Sequence, residues 1–253
     1  MLIDPEILAG IQDQPVLSLA RSMRPLLRGL RRWDRAAAQR VDDFIAISGE
    51  VQKRIQRYYG RESVIIYPPV DTARFAAAAA PPGTGDYFLS LGRLIPYKRV
   101  DLAVQACTRL NLPLLVGGDG RDRARLERLA GPTVKFLGRV PDGDVPALMA
   151  GCRAFIFPGL EDFGITPVQA LAAGRPVIAL AGGGALDIVQ DGLNGVLFPN
   201  PEVEDLCAAV ERFERLTFDP PVLRRSAERF DRTQFEHKLS AFLLEQRVAH
   251  GTS

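Results

Sequence analysis

From residue 44 onward, short apolar runs alternate with amphipathic stretches, and this alternation constrains the fold more than any other feature of the sequence. The runs are rich in β-branched and aromatic residues and show no polar alternation. Such runs are typical of strands that are buried on both faces of a parallel sheet. They are FIAIS (44–48), SVIIY (63–67), YFLSL (87–91), LPLLVG (112–117), TVKFLG (133–138), AFIFP (154–158), PVIAL (176–180) and GVLFP (195–199).

Segments with helical periodicity separate the runs, and several of them end at a glycine, the residue that most often stops a helix. The predicted helices span 50–59, 100–110, 121–130, 144–150, 202–216, 221–230 and 234–248. Strands and helices in this order predict right-handed crossovers. We therefore predict an α/β fold with a doubly wound, Rossmann-like parallel sheet.

The chain has 253 residues, enough for one large or two small domains. Proline, glycine and an alanine run between residues 68 and 86 indicate a linker or a long surface loop. We predict three parts: a connecting segment, a sheet domain, and a C-terminal helix with a tail. Their predicted bounds are 1–68, 69–232 and 233–253.

Composition excludes several classes of function. A net charge of +2 is too small for a protein that coats nucleic acid, so no nucleic-acid partner is expected. The cysteines, Cys107, Cys152 and Cys207, form no CxxC pair, and we expect buried free thiols in a reducing cytoplasm. Both histidines, His237 and His250, lie near the C-terminus, which excludes a triad or a zinc site built on a mid-chain histidine. Neither a membrane span nor a signal peptide is expected.

One segment is strongly basic: between Arg21 and Arg40 there are seven arginines and a single acid, Asp34. Leucines and Trp33 recur at helical spacing among them, which predicts an amphipathic helix. Such a helix either rests on anionic lipid at the inner membrane face or packs its apolar stripe on its own domain. We favour packing, because the stripe is short and has one aromatic residue.

In a doubly wound fold, ligands bind beyond the C-terminal ends of the strands, so the loops after the apolar runs are the candidate sites. The run YFLSL is followed by GRLIPYKR, in which Gly92 lets the backbone approach a ligand. Arg93 and Lys98 place two cations near the next helix start, which suits a diphosphate without a metal. The alternative is a solvated basic loop, and the residues alone support both equally.

The other loops carry weaker signals. The loop GDGRDR (118–123) lacks the third glycine of a dinucleotide fingerprint, so a tight turn explains it at least as well. The loop GLEDFGITPVQ (159–169) leads into a helix whose first N–H groups face the cleft. Glu161 within it either orients sugar hydroxyls or satisfies the helix dipole. Asp187 and Asn194 are adequately explained by capping and turn roles.

An acidic triplet, Asp142-Gly143-Asp144, imitates a DxD motif of the kind that holds a divalent metal in other enzymes. A turn that caps the following helix explains it better. We therefore predict no metal site.

Taken in order, these motifs resemble the C-terminal, donor-binding domain of family 4 glycosyltransferases, which have the GT-B fold. The stretches RVDDFIAIS (40–48) and RIQRYYGRESVIIYPPVDTARF (54–75) resemble the segment that joins the two domains, in a subgroup often associated with mannosyl transfer. The resemblance covers residues 31–230. Its motifs are GRLxxxK, GGDG, VKFLGRV, EDFGIxPV, AxGRPVIA and GGALxxxxxGxNGxLF.

The resemblance implies catalytic roles for three residues. Arg93 and Lys98 would hold the donor diphosphate and stabilise it as leaving group. Glu161, the first acid of the family's E-x7-E motif, would address the donor sugar. The other implied donor contacts are Gly92 and Gly118, Arg139 and Val140 beside the nucleobase, the turn Phe163, Gly164, Ile165 and Thr166, and Gln169.

The sequence departs from the family pattern in two ways. Gln169 stands at the second acid of E-x7-E, which normally accepts hydrogen bonds from ribose hydroxyls. An amide keeps one acceptor oxygen but loses the charge. In addition, residues 1–68 match only the final strand and helix of the acceptor-binding domain, so the resemblance implies that this domain is largely missing.

The resemblance thus implies a retaining glycosyltransferase domain that binds a GDP- or UDP-sugar and needs no cofactor. It would transfer a hexose, mannose included, to a glycan or a lipid-linked acceptor in polysaccharide biosynthesis, once a partner chain completes the acceptor half. The alternatives are a non-catalytic nucleotide-sugar-binding or assembly subunit and a truncated, inactive fragment. A cytoplasmic protein, with or without peripheral contact at the inner membrane face, is expected.

Overall fold

The structure, a computed structural model, describes residues 24–78, 85–249 and 251. The chain divides into two compact units. The first, called the N-terminal unit, comprises residues 1–45 and 52–64, of which 24–45 and 52–64 are described. The second, called the sheet unit, comprises residues 46–51 and 65–253.

The elements are named in chain order. The helices are α1 (Arg24–Ala38), α2 (Gly49–Tyr59), α3 (Thr72–Ala76), α4 (Val100–Arg109), α5 (Arg123–Leu129), α6 (Val145–Gly151), α7 (Ile165–Ala172), α8 (Ala185–Ile188), α9 (Val203–Glu214), α10 (Pro220–Glu228) and α11 (Arg232–Ala249), with a 3-10 turn at Pro96–Lys98. The strands are β1 (Ile45–Ala46), β2 (Val64–Ile65), β3 (Phe88–Leu91), β4 (Leu114–Gly117), β5 (Val134–Gly138), β6 (Phe155–Phe157), β7 (Val177–Leu180) and β8 (Gly195–Phe198).

The sheet unit is built on a six-stranded parallel sheet with the order β5-β4-β3-β6-β7-β8. This confirms the predicted doubly wound, Rossmann-like fold. The chain order runs outward from β3 to β5 and then returns to β6, which lies on the other side of β3. The strand order therefore reverses between β3 and β6, and this is the topological switch point where such sheets bind ligands.

Helices cover both faces of the sheet, as the unbroken apolar runs predict. Successive residues of β6 show this, since Phe155 and Phe157 belong to one apolar core and Ile156 to the other, all at most 6% exposed. One core is closed by α4 and α9, and the other by α7 and α10. Cys107, Cys152 and Cys207 are free and buried, as expected.

The first two apolar runs do not join this sheet, so the prediction of buried strands there is wrong. Among the described residues, β1 and β2 are two-residue strands that pair with each other and not with the six-stranded sheet. Ala46 and Ser48 are fully buried, whereas Ile45 and Ile47 between them are 37% and 39% exposed. The runs are apolar on both faces, but only one face is covered, and composition cannot reveal that difference.

The predicted linker at 68–86 is folded over its first half. Val70 and Phe75 are each 2% exposed, and the Val70 N–H donates to the Phe230 carbonyl at 2.9 Å. Asp71 caps the N-terminus of α3, because its side chain accepts from the Arg74 N–H at 3.2 Å. The sequence did not predict this short capped helix with its buried Phe75, because the surrounding prolines and alanines are typical of a linker. Residues 79–84 lie outside the described part of the chain.

The basic helix α1 also differs from the favoured interpretation. It is held to the rest of the N-terminal unit by another side, since Tyr59 Oη donates to Asp34 at 2.9 Å. Four members of the predicted apolar stripe, Leu26, Leu30, Trp33 and Val41, are 59%, 50%, 67% and 42% exposed, whereas Leu27 and Ala37 are half-buried. Residues 21–23 of the predicted basic segment lie outside the described residues. Within 24–78, 85–249 and 251, no helix is long and apolar enough to cross a bilayer.

Candidate functional site

The loops after β3 and β4 meet at the C-terminal edge of the sheet and are joined through their backbones. The Gly92 N–H donates to the Gly117 carbonyl at 3.0 Å, and the Leu94 N–H donates to the Asp119 carbonyl at 2.9 Å. Gly118 has φ +124°, and a Cβ on it would lie 1.8 Å from the Gly92 carbonyl oxygen. Only glycine fits at 118, because any side chain would force the two loops apart.

Lys98 and Glu161 meet at the switch point. Lys98 Nζ lies 2.7 Å from Glu161 Oε1, and the two side chains are 21% and 20% exposed. The ammonium folds back over the end of β3, since a Cβ on Gly92 would lie 3.4 Å from it. The loop after β6 packs against the backbone of Lys98, because a Cβ on Gly159 would lie 2.8 Å from Lys98 Cα. Two of the three predicted catalytic residues are thus in direct contact.

The glycine turn after β7 holds the backbone of Glu161. The Gly184 N–H donates to the Glu161 carbonyl at 2.8 Å. Gly183 has φ +57°, and a Cβ on it would lie 2.3 Å from the same carbonyl oxygen. The sequence predicted only an open turn here. The contact with Glu161 depends on the pairing of β6 with β7, which no local pattern specifies.

Arg93 differs from Lys98 in its surroundings. It is exposed, and its side chain makes no hydrogen bond or ion pair with any residue that the structure describes. The two predicted cations therefore differ in their surroundings, since Lys98 is held in an ion pair and Arg93 is exposed without a side-chain partner among the described residues.

The loop after β6 ends in a glycine with a positive φ, and α7 begins at the next residue. Gly164 has φ +102°, and a Cβ on it would lie 2.9 Å from Phe157 Cζ. Ile165 at the helix start is 47% exposed and Thr166 is half-buried. Gln169 is half-buried on the second turn, with no side-chain hydrogen bond to the described residues.

Phe163 lies in the core. It is 4% exposed and stacks on Tyr67 with ring centroids 5.8 Å apart. Its edge-to-face contact with Phe230 has a centroid distance of 5.5 Å. Any part that Phe163 plays in donor binding must therefore come from its backbone.

Arg139 and Val140 follow β5 at the same edge of the sheet. Arg139 is exposed and Val140 is half-buried. Val140 packs against the end of β4, since a Cβ on Gly117 would lie 3.0 Å from its Cγ2 atom. The structure thus brings all the predicted loops to one edge.

The triplet Asp142-Gly143-Asp144 is an exposed turn before α6, as predicted, but the Asp144 side chain makes no capping hydrogen bond. The carbonyl of Asp142 accepts from Arg74 Nη2. Across the described residues, no three His, Cys, Asp or Glu side chains are grouped to hold a metal ion.

Sequence reasoning missed the role of Asp187. Its Oδ2 accepts from the Gly49 N–H at 2.8 Å, and its Oδ1 accepts from Tyr67 Oη at 3.4 Å. Burial, together with the Asp187 charge, raises the pKa of the Tyr67 hydroxyl. Since Gly49 is 138 residues away in the chain, no local signal could have found the contact. Asn194 has the predicted turn role, because its Oδ1 accepts from the Gln190 N–H at 2.7 Å.

A doubly wound sheet whose strand order reverses beside a Lys–Glu pair has the architecture of the Rossmann-like half of GT-B glycosyltransferases. One solved structure of this class is Anabaena HepE in complex with UDP-glucose, at a TM-score of 0.71 and 23% identity, covering 85% of this chain and 67% of that chain. The family described as glycosyl transferases group 1 matches residues 71–231, and the protein belongs to this family.

Two curated relatives place the chain within the family. Glycogen synthase of Mycobacterium tuberculosis is 31% identical over 202 residues, which is 74% of this chain and 48% of the relative. D-inositol 3-phosphate glycosyltransferase of Mycobacterium bovis is 28% identical over 222 residues, which is 82% of this chain and 46% of the relative. The chain therefore spans about half the length of these relatives.

Proposed function

We propose that the sheet unit binds a nucleoside-diphosphate sugar across the switch point between β3 and β6, as the donor of a glycosyl transfer. The observation that carries the proposal is the Lys98–Glu161 pair, 2.7 Å apart at that point. Family membership and the UDP-glucose bound by Anabaena HepE support the same ligand class. Whether the nucleotide is UDP or GDP is left to the experiment below.

In this proposal Lys98 and Arg93 neutralise the diphosphate. Negative charge grows on the diphosphate as the bond between it and the sugar breaks, and fixed cations lower the energy of that state. Lys98 is suited to this role because its ion pair and the close packing of Gly92 and Gly159 hold the ammonium in place. Arg93, which is exposed and has no side-chain partner among the described residues, is the cation that we assign to the second phosphate. No metal ion is needed for this neutralisation.

Glu161 is proposed to pair with Lys98 through one carboxylate oxygen and to accept hydrogen bonds from the donor sugar through the other. Its Oε1 atom accepts from Lys98, while Oε2 has no partner among the described residues. A carboxylate oxygen beside the donor carbon can accept from sugar hydroxyls and fix the sugar in the reactive position. Backbone N–H groups at the start of α7, after Gly164, complete the site on the phosphate side.

The full reaction that we propose is a family 4 type transfer with retention of configuration, of a hexose such as mannose, to a glycan or lipid-linked acceptor. The chain spans about half the length of its relatives. We propose that transfer needs an acceptor-binding half in addition to the sheet unit. The 253 residues alone are expected to bind donor without transferring sugar, because transfer requires an acceptor held in line with the donor carbon.

One observation favours a second candidate, a non-catalytic nucleotide-sugar-binding or assembly subunit. Gln169 replaces an acid of the motif and supplies a weaker acceptor for ribose. A donor-turnover assay with the neighbouring gene product added separates the two candidates. Turnover supports the enzyme, and binding without turnover supports the subunit.

Calorimetry with UDP and GDP tests the site itself. Arg93→Ala and Lys98→Ala are each expected to weaken binding by about 1.5–3 kcal/mol, because each removes a charge-assisted contact. The matched control is Arg128→Ala, an exposed arginine on α5 whose side chain donates only to the Ala124 carbonyl. Unchanged affinity in both site variants, for both nucleotides, would reject the assignment.

A further inference from the structure

Lys98 is followed by a residue in an unfavourable backbone conformation. Arg99 has φ 48° and ψ 35°, in the left-handed region that residues with a side chain rarely adopt. It ends the 3-10 turn Pro96–Lys98 and directly precedes α4. The direction in which Lys98 leaves the turn therefore depends on this conformation. Such conformations persist only where the surrounding structure enforces them.

A buried carboxylate contacts this residue. Asp101, in the first turn of α4, is 8% exposed, and its Oδ1 accepts from Arg99 Nε at 3.2 Å. The same oxygen lies 3.8 Å from Arg125 Nη2. A carboxylate shared by two guanidinium groups in a nearly buried position fixes the geometry of both.

Arg125 extends the network to the loop after β4. Its guanidinium donates to both oxygens of Asp122, at 2.7 and 2.8 Å, and Asp122 is 7% exposed. This pairing lowers the pKa of the Asp122 carboxyl, despite its burial. The Asp122 N–H in turn donates to the Leu94 carbonyl at 3.1 Å. Charge and backbone contacts thus connect the loop that carries Lys98 with the loop after β4.

We infer that Asp101 is a positioning residue. Through Arg99 and Arg125 it holds the turn that carries Lys98, and so fixes the ammonium where it meets the donor diphosphate. The inference rests on the proposed role of Lys98 in diphosphate binding.

Positioning and bulk electrostatics predict opposite effects for Asp101→Asn. The substitution removes a negative charge near an anion site, so charge alone would tighten diphosphate binding. Asparagine has nearly the same shape, but it loses the charge that pairs with two guanidinium groups. If Asp101 acts by positioning Lys98, the substitution weakens binding.

The test is a double-mutant cycle by calorimetry with UDP and GDP on the full chain. Asp101→Asn is expected to weaken binding about fivefold to tenfold, and to change it less than about twofold when Lys98→Ala is already present. Glu127→Gln is the matched control, since it removes the same charge from a surface pair with Arg123 on α5. It is expected to leave affinity unchanged or slightly tighter.

The outcomes separate this inference from the proposed function. Unchanged or tighter binding by Asp101→Asn overturns the inference, and so does an equal loss with and without Lys98. If Lys98→Ala by itself leaves the affinity for UDP and GDP unchanged, the proposed function is rejected instead. If Asp101→Asn does not fold, Arg125→Lys replaces it, because lysine keeps the charge but cannot pair with Asp122 through two bonds. Arg125→Lys should then weaken binding about threefold, only when Lys98 is present.

Discussion

The sheet unit and the N-terminal unit use apolar residues in different ways. In the sheet unit, strands such as β6 are buried on both faces, and Phe155 and Ile156 are at most 1% exposed. In the N-terminal unit, Trp33 on α1 is 67% exposed and Val64 on β2 is 49% exposed. The sheet unit therefore has its own complete core and carries the whole candidate site. The described part of the N-terminal unit leaves large apolar side chains exposed.

The largest expected effect is on the loop junction of the sheet unit. Gly118→Ala places a Cβ 1.8 Å from the Gly92 carbonyl oxygen at φ +124°, so the two loops must separate. We expect a loss of at least about 3 kcal/mol in the free energy of unfolding, and loss of measurable nucleotide binding. Chemical denaturation and calorimetry measure both.

The matched change in the N-terminal unit is Gly29→Ala in α1. Nothing lies within 4 Å of its added Cβ, so alanine should stabilise the helix by about 0.5–1 kcal/mol. Gly143→Ala, in an exposed turn of the sheet unit with the same open space, controls for substitution in that unit. If Gly118→Ala unfolds like the unsubstituted chain, the loops are less tightly joined than their geometry indicates.

The same contrast explains what the sequence could predict. Runs such as AFIFP are apolar at every position, which predicts a strand buried on both faces, and the structure buries this run on both faces. FIAIS has the same character, yet Ile45 and Ile47 are exposed. Apolar composition shows that a strand needs cover, but it does not show whether the chain provides it.

Some residues of the candidate site could likewise be predicted from the sequence, and others could not. Arg93, Lys98 and Glu161 were predicted from their motifs, and the structure brings Lys98 and Glu161 into contact. Asp101 and Asp187 were missed or given local roles. Their partners are set by the left-handed turn at position 99 and by chain segments far away in sequence, and neither leaves a local pattern.

The next largest effect concerns the apolar stripe of α1. We predict that the 253-residue chain self-associates, because Leu26, Leu30 and Trp33 form a contiguous exposed row. Replacing all three by serine should weaken self-association at least about tenfold, as expected when roughly three apolar side chains lose their burial. Size-exclusion chromatography with light scattering over a range of concentrations measures it.

Leu243→Ser with Leu244→Ser is the corresponding change in the sheet unit, where these α11 residues are 56% and 64% exposed. We expect a smaller effect, since they lie beside the buried Phe242, which already anchors that helix. An equal effect would show that both units contribute to the contact through which the chain self-associates.

Trp33 is the only tryptophan. A blue shift of its emission on anionic vesicles, removed by salt, would indicate that the stripe contacts lipid instead.

A moderate effect is expected at Gln169. Gln169→Glu restores the charged acceptor of the family motif, and a charged acceptor binds a hydroxyl about twice as strongly as a neutral one. The added charge also repels the diphosphate, so the ratio of UDP to 2′-deoxy-UDP affinity is the informative quantity. We expect this ratio to rise about threefold to fivefold. A ratio that stays constant would place Gln169 outside the ribose site.

An effect of similar size concerns the pH dependence of stability, and it arises from one carboxylate in the sheet unit. Asp231 accepts from Thr72 Oγ1 at 2.5 Å and from the Thr233 N–H at 3.0 Å, and these bonds lower its pKa to about 2. The folded pKa lies below the unfolded one, so the stabilisation is complete above about pH 5 and is lost as the pH falls toward 2. Because the group is partly exposed, we expect on the order of 1 kcal/mol at neutral pH. Asp231→Asn should lower the free energy of unfolding by that amount at pH 7 and by much less at pH 2.5. A pH-independent loss in Asp231→Asn would show that Asp231 contributes shape rather than charge.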